Sequence, residues 1–433
     1  MFSAKKFALP EVMAALFAVS LQVQLTFFKS DNYEGLRVSA SDFLIPIAGM
    51  IIASSLLLHR SAWPQWKKPF GWAAPILMSI VMVGALINGY LVQGSLSQWA
   101  FTNKFCGWFV LLAYLGAGAW LATNYRDRAL PVFVRIFLGF FISVASIEIF
   151  NQFLMGFDFN IGLREGWEPI RGIMDNRNAF AFLLMCAASF ATTCKPLKNK
   201  NLWQNIFWII FPILVLFNGS RTLWICCLVL APIAALFDWN KFLKIILPSI
   251  AIGFFLFFIA FSNNQKNYFS TVSLKSMENF YAYVENPDDH DAAKYAEANG
   301  NAQRIQIIKG SIDLIKQYPF QGSGLGSALY FQEKTSGKKI DIIDNTGLWL
   351  LTETGLIGFG VFLWSAFTMA LTLKRDIHSF KSPNNIFSLS VFFTLIFFVI
   401  FSLLHELLYT RFLWFILGLA LAIPKTHPEQ PNS

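Results

Sequence analysis

Long apolar stretches alternate with short polar connections along most of the chain, and this alternation predicts a polytopic α-helical membrane protein. Most stretches are close to the roughly 17 to 25 residues that a helix needs to cross a hydrocarbon core about 30 Å thick. The predicted fold class is therefore all-α with about 12 transmembrane helices, and the shortest stretches leave that count open by one. The candidate spans are residues 8–28, 41–58, 71–92, 103–122, 130–152, 178–194, 202–218, 222–237, 243–262, 345–373, 385–404 and 408–424.

Two connections, 153–177 and 263–344, are longer than the others and lie on the same predicted side of the membrane. The second is too long for a simple connector and too polar for the membrane interior. Residues 1–262 are predicted to hold spans 1 to 9 with the short outer segment, and 345–433 to hold spans 10 to 12 with a tail. We expect the functional site on the outer side, because residues 263–344 form a large loop there.

The composition supports the membrane interpretation. Hydrophobic residues make up 55% of the chain and charged residues 14%, with a mean hydropathy of +0.51. A soluble domain carries about 25% charged residues. A chain this apolar could not cover a globular surface, whereas lipid accepts apolar side chains. The net charge of +9 therefore does not indicate a nucleic-acid partner, and none is predicted.

Lysine and arginine placement orients the chain, because basic connections stay on the cytoplasmic side during insertion. Every second short connection is basic, whereas the connection 93–102 contains no charge. Both termini are therefore predicted to be cytoplasmic, with residues 263–344 on the opposite side. The cytoplasmic basic residues are Lys5, Lys6, Arg60, Lys67, Lys68, Arg126, Arg128, Lys195, Lys198, Lys200, Lys241, Lys244, Lys374, Arg375, Lys381 and Lys425.

A cleaved signal peptide is the alternative interpretation of the first span, because Val38-Ser39-Ala40 resembles a cleavage tripeptide. That tripeptide lies about ten residues beyond the apolar run, so we favour an uncleaved first helix. The five cysteines fall in or at the ends of apolar segments, which implies no disulfide framework.

The large outer loop ends in a regular pattern. Apolar residues recur at helical spacing after Asn301, which can cap a helix, and Pro319 would end the run. The pattern predicts an amphipathic helix on the outer face of the membrane. A glycine-rich turn, Gly322–Gly326, follows it and would let the backbone approach a partner closely. The recurring apolar residues are Ile305, Ile308, Ile312 and Ile315.

Arginines lie along the outer side, mostly beside the ends of spans. A guanidinium is planar, stays charged and can bind a phosphate through two hydrogen bonds. Arg221 lies in the tight turn Asn218–Thr222 between two spans, so its side chain must stay at the outer rim of the membrane. Contact with lipid headgroups is one role for it, and binding a lipid-linked diphosphate together with other arginines is the second. The outer arginines are Arg164, Arg171, Arg177, Arg221, Arg304 and Arg411.

Four short motifs follow one another between residues 178 and 358. They are Asn178-Ala179; Gly219-Ser220-Arg221-Thr222; Arg304 leading into Pro319 and Gly322–Gly326; and Asp344-Asn345-Thr346 followed by Leu350, Glu353, Thr354, Gly355 and Gly358. Their order and spacing resemble the O-antigen ligase and polymerase superfamily, bacterial membrane enzymes of GT-C-like architecture that transfer glycans from polyprenyl diphosphate. The resemblance covers about residues 170–365, together with the twelve-span layout and the large loop before the tenth span.

The resemblance implies roles for particular residues. It assigns donor diphosphate binding to Arg221 and Arg304, and Arg171 is placed with them as a third outer arginine. It also implies a histidine just before the asparagine or serine of the tenth span, to orient or deprotonate the acceptor hydroxyl, where this chain has Asp344. A carboxylate can accept a proton, and His405 at the outer end of the eleventh span is the alternative base. The predicted catalytic residues are Asp344 and His405, and the predicted acceptor or cavity residues are Asn345 and Glu353.

Glu353 lies nine residues into the tenth span, where an ionisable group usually faces the bundle interior with a partner. A structural hydrogen bond is therefore the alternative role for it. The acidic run Asp288-Asp289-His290 is interpreted as a solvated surface, and no metal site and no cofactor are predicted.

The resemblance implies a glycosyltransferase of the bacterial inner (cytoplasmic) membrane whose active site faces the periplasm. The expected reaction is an inverting, metal-independent transfer from a polyprenyl-diphosphate-linked glycan donor to a hydroxyl of a glycan or lipid A core acceptor, among membrane lipids. A ligase, a polymerase and a transferase acting on protein remain open, and the absence of the ligase-type histidine favours the polymerase.

A transporter or flippase for a lipid-linked or anionic solute is the alternative function, because many spans and a basic outer cavity also suit it. The sequence shows no repeat between its two halves and no matching pair of spans broken by glycine or proline. The outer loop is also larger than alternating access requires. We therefore favour the enzyme.

Overall fold

The computed structural model describes residues 8–27, 36–155, 170–174, 176–193, 202–237, 239–261, 301–336, 343, 345–376 and 383–425. Helices make up most of these residues. They are α1 (Leu9–Ser20), α2 (Leu44–Leu57), α3 (Ala73–Gln93), α4 (Gly107–Met155), α5 (Arg177–Thr193), α6 (Leu202–Asn218), α7 (Arg221–Phe237), α8 (Trp239–Lys241), α9 (Leu247–Phe261), α10 (Asn301–Gln317), α11 (Ser327–Ser336), α12 (Thr346–Asp376), α13 (Pro383–Ser402) and α14 (Arg411–Leu421). With them occur strands β1 (Gln24–Phe27) and β2 (Leu36–Ser39), a 3-10 helix (Ala40–Phe43) and π-helical segments Ala100–Cys106 and Phe242–Ile246.

Within the described ranges, four helical segments are long and apolar enough to cross a membrane: Ala40–Leu57, Ala73–Gln93, Ala100–Gln152 and Thr346–Asp376. Six apolar helices of 10 to 17 residues accompany them. The prediction of a mainly helical membrane protein is confirmed in this form. The number of twelve spans, their orientation and the large outer loop stay predictions.

A small β-hairpin between the first two spans was not part of the all-α prediction. β1 and β2 pair in antiparallel fashion, with Leu25 opposite Val38. The first helix ends at Ser20, so the apolar residues of β1, which the hydrophobic pattern assigned to the first span, lie in a strand instead. Hydrophobicity alone does not separate a short apolar strand from a helix end. The backbone N–H of Gln24 donates to the carbonyl of Ile173 at 2.9 Å, which ties the hairpin to the segment before α5.

The predicted fourth and fifth spans form one long helix, α4. Tyr125 (φ −142°, ψ 23°) leaves helical geometry and marks a kink between its two halves. The first half packs tightly against α14, because a Cβ placed on Gly118 would lie 2.2 Å from the carbonyl oxygen of Phe415. Gly418 of α14 faces the same crossing. Glycine on both helices permits this close approach, as is common between membrane helices.

Helix α12 is broken, and the glycine turn Gly322–Gly326 inserts at the break. Gly355 has φ 68° and ψ −173°, which interrupts the helical backbone. The backbone N–H of Gly324 donates to the carbonyl of Glu353 at 3.0 Å, so the turn satisfies a backbone group that the break releases. A Cβ on Gly324 would lie 2.0 Å from the backbone nitrogen of Gly89 in α3. The close approach predicted for this turn is therefore made to the backbones of α3 and α12.

The predicted amphipathic helix exists as α10, but its packed face differs from the predicted stripe. The buried residues are Ile307, Ser311 and Leu314, and the helix packs against α12. Ile308 and Ile312, two members of the predicted stripe, are 46% and 42% exposed. The helical spacing of apolar residues predicted the helix, whereas packing against α12 determines which of its faces is buried.

Candidate active site

The turn before α7 places Arg221 at the start of that helix. The side chain of Asn218 is buried and donates to the carbonyls of Ile170 at 2.7 Å and Arg177 at 3.1 Å. The hydroxyl of Ser220 donates to Oδ1 of Asn178 at 3.1 Å. These bonds fix the turn against the segment that opens α5. Arg221 is exposed as the first residue of α7, and its predicted position at the outer rim of the membrane stays a prediction.

His405 lies in the connection between α13 and α14 and is held on two sides. Its Nε2 lies 2.9 Å from the hydroxyl oxygen of Thr222, the residue after Arg221. Its carbonyl accepts a hydrogen bond of 3.0 Å from the hydroxyl of Thr346 at the start of α12. Asn345 donates from its side chain to the carbonyl of Leu403. The structure therefore brings together the starts of α7 and α12 and the His405 connection.

Two other predicted site residues are described only in part or not at all. Asp344 lies outside the described residues, although its neighbours Ile343 and Asn345 are described. Arg304 lies in the first turn of α10, and its side chain is outside the described set. The assignments of both residues stay predictions.

Arg171 lies in the short segment before α5, close in the chain to residues that hold the Arg221 turn. It is half-buried, and its neighbour Gly172 donates its backbone N–H to Oε2 of Glu148 at 2.7 Å. Ile170, on its other side, donates its N–H to the carbonyl of Phe217 at 3.1 Å. The backbone of Arg171 is thus anchored beside the start of α7, which is compatible with its predicted role.

Glu353 is buried in α12, with 1% of its surface exposed. Its Oε2 accepts a hydrogen bond of 2.8 Å from Nε1 of Trp349. Lys104 lies over the ring of the same tryptophan, with its Nζ 4.5 Å from the ring centroid. These contacts fit the structural role that the sequence left open for Glu353, and its cavity role stays a prediction.

A buried ion pair beside His405 was missed in the sequence. Nζ of Lys104 lies 2.7 Å from Oε1 of Glu406, and the two side chains are 2% and 7% exposed. The same ammonium group lies 5.1 Å from the ring centroid of Trp99 and 4.7 Å from that of Tyr409. The available signal was an ionisable residue at the very start of a predicted span, where a partner is expected.

Arg411, one of the predicted outer arginines, forms a second ion pair. Nη2 of Arg411 lies 3.2 Å from Oδ2 of Asp42, and its Nε donates to Oδ1 of Asp42 at 3.4 Å. The hydroxyl of Tyr114 also donates to Asp42, at 2.7 Å. The guanidinium of Arg411 is therefore directed at a carboxylate within the protein.

Tyr409 connects the two ion pairs. Its hydroxyl donates to the carbonyl of Lys104 at 2.9 Å. Its own carbonyl accepts from Nη1 of Arg411 at 3.2 Å. A cavity of about 350 Å³ opens between the two pairs.

Comparison with known families gives a match over part of the chain. Residues 206–363 match the family model described as O-antigen ligase. The resemblance to the O-antigen ligase and polymerase superfamily is confirmed. The matched stretch contains Arg221, Arg304, Asp344, Asn345 and Glu353, whereas Arg171 and His405 lie outside it. A search of curated proteins gave no match.

The O-antigen ligase match supports a general function of the ligase or polymerase type. It indicates an enzyme that transfers glycosyl groups, with a lipid-linked glycan as donor and a polysaccharide acceptor. Together with the apolar helices, it also supports a membrane location.

Proposed function

We propose that the chain is a glycosyltransferase of the bacterial inner membrane that moves a glycan from polyprenyl diphosphate to an acceptor hydroxyl in the periplasm. The transfer inverts the configuration at the anomeric carbon, uses no metal ion and builds O-antigen or another surface polysaccharide. One observation carries the proposal: the 2.9 Å contact between Thr222 and His405 joins a candidate base to the residue beside Arg221. Arg221 and Thr222 lie in the stretch that matches the O-antigen ligase family.

The diphosphate is held at the beginnings of two helices. Arg221 is the first residue of α7, and Arg304 lies in the first turn of α10. A helix N-terminus carries partial positive charge and free N–H groups, which favour a bound anion. Each guanidinium adds a full charge and two-point hydrogen bonding, and Arg171 supplies a third from the segment before α5.

The reaction requires one proton transfer and one displacement. The acceptor oxygen attacks the anomeric carbon and forms the new C–O bond while its proton passes to His405 or Asp344. The bond between the anomeric carbon and the diphosphate oxygen breaks, and the electron pair leaves with the lipid diphosphate. Attack opposite the leaving group inverts the configuration. Stabilising the charge that develops on the diphosphate supplies most of the rate enhancement.

Transfer in detergent solution tests the proposal against the transporter. Purified protein is mixed with lipid-linked glycan extracted from a strain that lacks the gene, and with membrane acceptor from the same strain. Because detergent removes the two compartments, a transporter yields no new glycosidic bond, whereas the enzyme yields a larger glycan. Lack of any product from well-folded protein with both substrates present would contradict the proposal.

Deletion of the gene separates the ligase from the polymerase. Loss of a ligase leaves completed polymer on the lipid carrier, whereas loss of a polymerase leaves single repeats on the core. Asp344 in place of the ligase-type histidine supports the polymerase. We therefore expect single repeats, as seen on a gel of surface polysaccharide.

A further inference from the structure

A cavity with four charged side chains in its wall extends to Glu406, the residue after the candidate base His405, and we name it the outer cavity. Its volume is about 350 Å³, within the range of roughly 300 to 1,000 Å³ typical of small-ligand sites. Charged side chains in a membrane protein usually face a partner or a water-filled space, and this cavity has four of them in its wall. Its lining residues include Asp42, Trp99, Asn103, Lys104, Glu406 and Arg411.

The charges of the outer cavity cancel within its own wall. Asp42 pairs with Arg411, and Lys104 pairs with Glu406. A diphosphate needs an excess of positive charge, which these pairs do not supply. The wall therefore suits a neutral ligand that carries many hydroxyl groups, since the amide of Asn103 and the partly exposed side chains of Asp42 and Arg411 can accept and donate hydrogen bonds.

The local helix geometry presents polar groups to this space. Ala100–Cys106 is π-helical, a rare conformation that is frequent at functional sites, and it places Thr102, Asn103 and Cys106 in the cavity wall. Asn103 is half-buried, and its amide can both donate and accept a hydrogen bond. Trp99 adds an apolar ring face to the same wall. An aromatic face beside amide and carboxylate groups matches the alternating C–H and O–H surfaces of a sugar ring.

The outer cavity and the turn that carries Arg221 both adjoin the His405-Glu406 segment. Glu406, which lines the cavity, follows His405 directly in the chain, whereas the ring of His405 contacts Thr222 beside Arg221. We infer that the outer cavity binds an uncharged sugar ring of the acceptor glycan and orients its attacking hydroxyl toward the donor. This inference rests on the proposed function, which places the diphosphate at Arg221.

Steady-state kinetics of Asn103→Ala test the inference. Loss of one or two hydrogen bonds to the sugar is expected to raise the acceptor KM by about tenfold, with kcat and the donor KM changed less than about twofold. Gln98→Ala is the matched control, because Gln98 is an exposed amide just before the π-helical segment, is not in the cavity wall and should leave both KM values unchanged. An unchanged acceptor KM in Asn103→Ala, or a rise in the donor KM alone, overturns the inference.

The thiol of Cys106 gives a readout that does not depend on turnover, because it lines the outer cavity. The probe is an oligosaccharide released by mild acid from the lipid-linked glycan of the deletion strain. It should slow modification of Cys106 by a neutral maleimide, as followed by peptide mass spectrometry, and this protection should weaken in Asn103→Ala. Active protein without protection overturns the inference, whereas protection without transfer supports the sugar site and contradicts the proposed function.

Discussion

The hydroxyl oxygen of Thr222 and Nε2 of His405 lie 2.9 Å apart, although 183 residues separate them in the chain. Thr222 belongs to the stretch that matches the O-antigen ligase family, and His405 lies beyond its end. A histidine that the family match does not cover is thereby held beside Arg221.

The first prediction concerns the base. We expect His405→Gln to reduce transfer by about 10² to 10⁴-fold, the usual loss when a general base is removed, because an amide cannot accept the proton. Asp344→Asn should then retain most activity. The measurement is the rate of transfer from purified lipid-linked donor.

The reverse pattern, with Asp344→Asn inactive and His405→Gln active, would assign the base to Asp344. In that case Asp344→His should retain function, since imidazole has an ordinary pKa near 6.5. Thr222→Val and Thr222→Ser provide the control for orientation. Only the serine should keep the hydrogen bond to the ring and hence the activity.

The second prediction concerns the diphosphate. Arg221→Ala and Arg304→Ala should each abolish transfer, and lysine at either position should restore little, because a point charge cannot reproduce two-point binding. Lys309→Ala is the matched control in α10, since Lys309 is exposed on the same helix. Near-normal transfer by both alanine variants, with normal expression, would show that the diphosphate binds elsewhere.

The third prediction tests the inserted glycine turn. Gly324→Ala should destabilise the protein by roughly 1 to 3 kcal/mol or more, because the added Cβ would lie 2.0 Å from the backbone of Gly89 and φ is +88°. Gly310→Ala in α10 meets nothing within 4 Å and should stabilise that helix by roughly 0.5 to 1 kcal/mol. Thermal unfolding in detergent compares the two variants, and equal midpoints would contradict the described packing.

The fourth prediction concerns the buried ion pair. Lys104→Met or Glu406→Gln alone should cost roughly 3 to 5 kcal/mol of stability, because each leaves a buried partner unsatisfied. The double variant should lose much less than the sum. The exposed pair Asp313 and Lys316, 3.9 Å apart, should show little effect in the same cycle. Additive losses for the buried pair would show that the two side chains do not interact.

The fifth prediction concerns orientation. A cysteine introduced at residue 285 should react with a membrane-impermeant reagent from outside the cell, whereas one at residue 198 should not. The basic residues around 198 support a cytoplasmic position. Labelling at residue 198 together with protection at residue 285 would show that the topology is the reverse of the predicted one. The candidate active site would then lie on the cytoplasmic face of the membrane.

The membrane class and helix α10 could be predicted from local patterns, whereas the roles of the site residues stay predictions. Runs of apolar residues can be read directly from the amino-acid sequence. A helix such as α10 follows from the helical spacing of its apolar residues and from Pro319, which ends the run. The short strand β1 was misassigned, because a few apolar residues suit either a helix end or a strand.

The partners of charged residues could not be predicted in the same way. Arg411 looked like an outer arginine open to phosphate, yet its guanidinium pairs with Asp42, which lies 369 residues earlier. Lys104 and Glu406 meet across a comparable separation. No local pattern specifies such a pair, because a charged side chain requires a partner only when packing against distant helices buries it.

The sequence by itself determined that this chain is a helical membrane protein, that Arg221 lies in a tight turn between two apolar segments and that its motifs resemble O-antigen ligases, since each property resides in residues close together in the chain. Only the tertiary structure decided that Thr222 contacts His405, that the glycine turn fills the break in α12 and that two ion pairs border one cavity. Those relationships depend on which helix faces pack against each other, and helix packing is set by contacts among residues far apart in the chain.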